Sequence, residues 1–128
     1  MKGADNNMSK KILIVEDDPS LLKLQSIILL NGGYEVEATM SGDTALQLVS
    51  EKTPDLVLLD VRLPGINGFQ VCKQIRANPK TKNIPIVFLS AKNSDEDIRY
   101  GKAIGGNEYL TKPYSSKTVM TTINKLLR

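Results

Sequence analysis

The chain has 128 residues, with 41% apolar and 24% charged side chains and a formal net charge of +3. That length fits one domain with a sizeable core, and the composition excludes a disordered, collagen-like or coiled-coil chain. One cysteine, Cys72, and no histidine exclude an internal disulfide, a zinc site of the usual nitrogen and sulfur kind, and any Ser-His or Cys-His nucleophile pair.

No apolar run approaches the ~18 residues that a membrane span requires, and the first residues lack the apolar stretch of a secretory signal. A cytoplasmic protein without membrane contact is expected. Lysines and arginines are scattered, with no run longer than Lys10-Lys11, which speaks against direct binding to nucleic acid. Residues 1–9 read as a disordered polar tail or a remnant of expression, and residues 10–128 as the folded domain.

In chain order, Ile12-Leu13-Ile14-Val15 is a β-branched run ended by acids and predicts a buried strand. Asp18-Pro19 supplies an N-cap and a proline at the first helical position. The helix it opens is expected to carry its apolar stripe on Leu21, Leu24 and Ile28 and to stop at Asn31-Gly32-Gly33. Residues 34–39 predict a second strand, and Ser41 caps a helix carrying Ala45, Leu48 and Val49 that stops near Thr53-Pro54. Residues 56–59 are apolar without alternation, as in a strand covered on both faces, and end at Asp60. A turn-rich loop over 61–68 leads into a helix with Val71, Cys72 and Ile75 on one face, closed by Pro79.

Residues 85–90 predict the fourth strand, Ser94 to Asp97 open the fourth helix with capping-box spacing, and residues 108–111 form a short fifth strand. The last helix carries Val119, Ile123, Leu126 and Leu127. Helix four is the weakest: its apolar positions are sparse, it is expected to pack through Ile98 and Ile104, and Gly101 inside it costs about 1 kcal/mol relative to Ala. The sharper alternative is an element that can shift. Five strands alternating with five helices imply an α/β fold, a doubly wound parallel sheet covered on both faces. In the flavodoxin-like order 2-1-3-4-5 the first and third strands are neighbours.

All strand C-termini of such a sheet share one edge, where ligands bind. Here they carry Glu16-Asp17, Asp60 and Ser90, with Lys112-Pro113 directly after strand five. Three carboxylates meeting in one pocket repel each other, and one lysine offsets only part of that. A hard divalent cation would supply the rest, and Mg²⁺ suits oxygen ligands that leave room for water and phosphate. Plainer roles exist for each residue taken singly: Asp18 is an N-cap, Ser90 a partner for nearby backbone, Lys112 a solvated loop cation, Tyr109 an aromatic covering the sheet edge. Asp60 resists such a reading, because a carboxylate directly after four buried apolar residues needs compensation.

With their order and spacing, the segments Ile-Leu-Ile-Val-Glu16-Asp17-Asp18, Leu-Val-Leu-Leu-Asp60-Val-Arg-Leu-Pro64-Gly-Ile-Asn67-Gly68, Ile-Pro-Ile-Val-Phe-Leu-Ser90-Ala91 and Tyr109-Leu-Thr-Lys112-Pro113 resemble the receiver domain of bacterial response regulators. The resemblance runs over residues 10–128. It implies that Asp60 accepts a phosphoryl group from a phosphohistidine on a histidine kinase or phosphotransfer protein. It implies Mg²⁺ held by Asp17, Asp60 and the main-chain carbonyl of Arg62, with Glu16 acting through water. Lys112 and the Ser90 hydroxyl would contact the transferred group, and Tyr109 would rotate into space vacated by the Ser90 loop. That rotation would remodel the surface of helix four, strand five and helix five, which a downstream protein would read, as a monomer or a phosphorylation-dependent dimer. The Lys112-Pro113 bond is often cis in this family.

Two departures stand out: Ser90 replaces the commoner Thr, and Asn67-Gly68 replaces the frequent Asp-Gly. Arg62 and Lys92, two residues beyond Asp60 and Ser90, occupy positions that tune how water reaches the aspartyl phosphate, and neither is a good base for positioning water. A comparatively long-lived phosphorylated form is expected. Competing classes fit less well. A flavodoxin-like electron carrier would not place Glu16-Asp17-Asp18 against a flavin phosphate, a haloacid-dehalogenase-type phosphatase wants an Asp where Arg62 stands, and no Gly-x-Gly-x-x-Gly follows a strand. By length alone a stand-alone phosphorelay shuttle or a regulator acting by protein contact, not itself an enzyme, is preferred over the excised receiver of a longer transcription factor, hybrid kinase or cyclic-nucleotide enzyme.

Overall fold

A computed structural model describes residues 10–128, and the expected tail over 1–9 lies outside the described residues. The elements are β1 (Lys11–Val15), α1 (Pro19–Asn31), β2 (Glu35–Thr39), α2 (Gly42–Lys52), β3 (Leu56–Leu59), α3 (Gly68–Ala77), β4 (Ile86–Ser90), α4 (Asp95–Ala103), β5 (Glu108–Thr111) and α5 (Ser116–Leu127). The strands form one parallel sheet in the order β2-β1-β3-β4-β5. Period-2 alternation sends successive side chains of the central strands to opposite faces. Leu13, Val15, Val57, Leu59, Ile86 and Phe88 pack with α2 and α3 on one side. Ile12, Ile14, Leu56, Leu58, Val87 and Leu89 pack with α1 and α5 on the other. Each fully buried Leu or Ile here contributes roughly 1.5–3 kcal/mol. Among the described residues no helix is long and apolar enough to cross a membrane.

The helix starts follow local chemistry. Asp18 accepts from the N–H groups of Ser20 and Leu21 with Pro19 at the first turn, and Ser41, Ser94 and Ser115 each accept from an N–H three residues on. Asn67 and Gln70 form a reciprocal capping box that opens α3. The box expected at Ser94 forms only in part. Asp97 is one methylene shorter than Glu, and its carboxylate accepts from the Ser94 hydroxyl rather than the backbone N–H.

Two expectations are corrected. The buried stripe of α1 runs through Gln25 and Leu29, while Leu24 is 52% exposed. The helix is therefore rotated from the Leu21, Leu24, Ile28 stripe, and an amide takes a core-facing position. Gly101 is not a defect in α4. It is the one buried residue of that helix, because the helix backbone lies directly against the Tyr109 ring, and a Cβ there would sit 2.8 and 3.0 Å from its Cδ2 and Cε2 atoms. Ile98 and Ile104 are half-buried against the α2 and α3 side of the core, as expected. The loop after α4 is braced from α3: the Arg76 guanidinium donates to the carbonyls of Lys82, Ile84 and Gly105 and to Asn107 Oδ1.

Candidate functional site

The chain leaves β1 outward to β2 and returns to β3, so the crevice of this sheet opens between the C-terminal ends of β1 and β3. Glu16 and Asp60 follow those strands directly. The Asp60 N–H bonds to Val15 O at 3.0 Å and the Glu16 N–H to Thr39 O at 3.1 Å, which extends the ladder into the site. Glu16 is 1% exposed and Asp60 4%, while Asp17 is open to solvent. These three acids each offer an oxygen within 4.8 Å of the others, an arrangement able to hold a metal ion. An all-oxygen set with one open carboxylate fits a hydrated hard cation better than a thiophilic one.

Lys112 reaches into the crevice from the end of β5. Its Nζ lies 3.2 Å from both Glu16 Oε1 and Asp60 Oδ2, and its side chain is 20% exposed. Burial lowers its pKa, but Asp60 and Glu16 outweigh that and hold it above its usual value. Burial, then the neighbouring Asp60, pushes the Glu16 carboxyl above the ordinary range against the pull of the Asp18 N–H and Lys112. A buried acid held up in this way is where a cation would relieve most strain. The Lys112-Pro113 bond that follows is cis.

Asp60 Oδ1 accepts from the Arg62 N–H at 3.2 Å, so the loop after β3 turns back over the carboxylate. At Gly68 the start of α3 presses on the Asp60 backbone so closely that a Cβ would overlap the Asp60 carbonyl oxygen. Ser90 is fully buried, and its hydroxyl accepts from the Lys92 N–H at 3.1 Å. The Arg62 side chain is exposed and Lys92 half-buried, with the Lys92 ammonium 3.7 Å from Asp97. Both line an open cleft of about 790 Å³ that also reaches Asp17 and the rings of Phe69 and Tyr100.

Tyr109 is found inside, not at the surface. It is 8% exposed, its ring packs on Phe88 at 5.5 Å, and its hydroxyl donates to the Lys92 carbonyl at 2.6 Å. The side chain therefore points inward in this structure.

Residues 12–124 match the family model described as the response regulator receiver domain. The chain belongs to this family. It is 39% identical over 123 residues to the DNA-binding response regulator MtrA of Mycolicibacterium smegmatis, covering 96% of this chain and 53% of that protein. It is 36% identical over 121 residues to the phosphate regulon transcriptional regulatory protein PhoB of Rhizobium meliloti, covering 94% and 53%. The chain spans about half the length of the curated relatives it matches. Among solved structures, the chemotaxis response regulator CheY4 of Vibrio cholerae superposes with a TM-score of 0.87 at 33% identity, covering 93% of this chain and 99% of that one. The BeF3-activated receiver domain of Klebsiella pneumoniae RstA gives 0.87 at 31% identity, with the same two coverages.

Receiver membership carries the fold and the signalling class, and it removes the flavodoxin-like and dehalogenase-like alternatives. Gln25 and Tyr114 also stand beside the acids, where neither was expected. Gln25 Nε2 donates to Glu16 Oε1 at 3.3 Å and to the Tyr114 hydroxyl at 2.5 Å. The available signal was an amide at helical spacing between Leu22 and Leu29.

Proposed function

We propose that Asp60 is the phosphoacceptor of a two-component or phosphorelay switch. The observation that carries this reading is a buried carboxylate at the tip of β3, sharing one crevice with Glu16, Asp17 and the Lys112 ammonium. Mg²⁺ would be held by Asp17, Asp60 and the Arg62 main-chain carbonyl, with Glu16 acting through water. Bound there, it would neutralise charge spreading over the phosphoryl oxygens in a loose, in-line displacement.

The chain's own residues supply the nucleophile and the remaining electrostatics. An Asp60 carboxylate oxygen attacks phosphorus, a P–O bond forms, the P–N bond of the donor phosphohistidine breaks, and the imidazole departs with the bonding pair and takes up a proton. The donor is the phosphohistidine of a histidine kinase or phosphotransfer protein, or a small acyl phosphate; the 128 residues themselves hold no histidine. Lys112 pairs with the incoming group from where it already contacts Asp60, and the Ser90 hydroxyl hydrogen-bonds to it. The new group adds about −1.5 to −2 charge and three acceptor oxygens, which draws on the Ser90 loop and through it on Tyr109. The readout is the α4-β5-α5 face, taken up by a downstream protein or a second copy of the chain. The chain acts as a cytoplasmic switch that assists its own phosphorylation and dephosphorylation. The relatives' names support a transcriptional output where such a domain is part of a longer regulator.

Incubation with Mg²⁺ and acetyl phosphate, followed by intact mass measurement, tests the reading. One added phosphoryl mass is expected, absent in Asp60→Asn and with a chelator. No gain in the unaltered protein, or an equal gain in Asp60→Asn, overturns it.

A further inference from the structure

We infer that Gln25 is a positioning residue for the acidic crevice, fixing Glu16 and tying it through Tyr114 to the loop that follows Lys112. The inference rests on the reading that these acids hold Mg²⁺.

Helix α1 is an unusual place for an amide. Gln25 is 3% exposed, whereas Leu24, Ile27 and Leu30 on the same helix are 52%, 46% and 55% exposed. Burying an amide costs roughly 1–3 kcal/mol unless its hydrogen bonds are met. A helix that turns three large apolar groups outward and a glutamine inward has traded burial for polar contacts. Those contacts are the Glu16 carboxylate at 3.3 Å and the Tyr114 hydroxyl at 2.5 Å, both from Nε2. The orientation of the amide follows from charge: reversed, its carbonyl oxygen would face the carboxylate.

Glu16 takes three donors from three parts of the chain. Oε2 accepts from the Asp18 N–H at 3.2 Å, and Oε1 accepts from Lys112 Nζ at 3.2 Å and from Gln25. Lys112 is shared with Asp60, so it is committed to the phosphoryl group once that group arrives. Gln25 is then the side-chain donor that stays with Glu16. Lys112 and Tyr114 also sit on the same short loop, so the contacts close a ring from Glu16 to Lys112, through Pro113 to Tyr114, and back by Gln25. In this ring the amide, not the lysine, holds the carboxylate in the rotamer that presents it to a hydrated ion. Groups that orient metal-binding residues in this way typically change affinity by 10–100-fold when lost.

The test uses the full chain titrated with Mg²⁺ alone, by calorimetry and by ¹⁵N NMR. Gln25→Met, which keeps volume and removes the donor, is expected to weaken Mg²⁺ binding roughly tenfold. Tyr114→Phe is expected to have a smaller effect, and the double variant to be no weaker than Gln25→Met alone, as coupled groups behave. In the unaltered protein the Gln25 side-chain amide resonances should shift with Mg²⁺ and again in Tyr114→Phe. A folded Gln25→Met that binds Mg²⁺ within about twofold of the original overturns the inference. If Gln25→Met does not fold, Gln25 amide resonances indifferent to both Mg²⁺ and Tyr114→Phe overturn it instead. Failure of the unaltered protein to bind Mg²⁺ sinks the underlying phosphoacceptor reading, which separates the two.

Discussion

The functional edge of the sheet has two halves held by different forces. At the tips of β1 and β3, buried Glu16 and Asp60 are fixed by charge-assisted hydrogen bonds, with Lys112 shared between them. At the tips of β4 and β5, Ser90 and Tyr109 are fixed by shape: one aromatic ring against another, a hydroxyl on a backbone carbonyl, and a helix that approaches closely through Gly101. The charged half is suited to chemistry, because preorganised dipoles cost nothing to align when charge develops. The switching proposed above would draw on the other half, since packed alternatives differ by steps, not degrees.

Removing the shared cation should break the first half most severely. Lys112→Met leaves two buried carboxylates facing each other, and a loss of about 3 kcal/mol is expected in metal-free urea denaturation at neutral pH, the low end for a buried pair because Lys112 retains some exposure. The pH sign is fixed by the raised lysine pKa. Its contribution is complete below the unfolded value of 10.5 and is lost as pH climbs through the higher folded value. From neutral pH the gap between the two proteins should therefore hold constant up to about pH 10 and close above 10.5. A gap that widened with alkali would place the stabilisation elsewhere.

Gly101→Ala probes the second half. The added methyl overlaps the Tyr109 ring, and overpacking costs about 1–3 kcal/mol against the ~1 kcal/mol that Ala brings to a helix. A net destabilisation of about 1 kcal/mol is expected, with a changed tyrosine near-ultraviolet signal. In a Tyr109→Ala background the same substitution should become stabilising by about 1 kcal/mol. Lack of sign reversal in a double-mutant cycle would show that Tyr109 is not what Gly101 accommodates.

The smallest effect is expected where the halves meet. Arg62 and Lys92 line the cleft beside Asp17, and neither is suited to positioning water. Replacing either with Ala should shorten the life of the phosphorylated form by less than about tenfold, or 1.36 kcal/mol of barrier. Rapid loss of the label from the original protein, unchanged in both variants, would remove these side chains from the account.

The same division explains what could be read from the amino acids. Glu16, Asp17, Asp60, Ser90 and Lys112 were legible because each closes a buried strand or follows one, and a parallel sheet gathers strand ends on one edge. The apolar runs of β1, β3 and β4 and the Asp18, Ser41 and Ser94 caps were legible for equally local reasons. Gln25 was not, since a stripe drawn from apolar residues alone turns α1 away from its amide. Nor was the role of Gly101, whose helix-propensity cost is visible in the chain while the ring it accommodates arrives from β5. The inward Tyr109 likewise depends on space between elements, which no single segment encodes.

The loop between β3 and α3 is buckled at both ends: the Gly68 N–H closes on Val61 O at 2.8 Å, and Gly68 itself has no room for a side chain beside the Asp60 carbonyl. Its tip at Gly65, with only the Asp43 side chain near its absent Cβ, is open by contrast, although φ +72° reserves that one position for glycine. Extra residues grafted at the tip would hang outward and leave the carboxylate's seat untouched, whereas a single methyl at the buckle would be transmitted straight into it. Anyone attaching a reporter or a binding peptide next to this crevice has a tolerant address and a forbidden one only three positions apart.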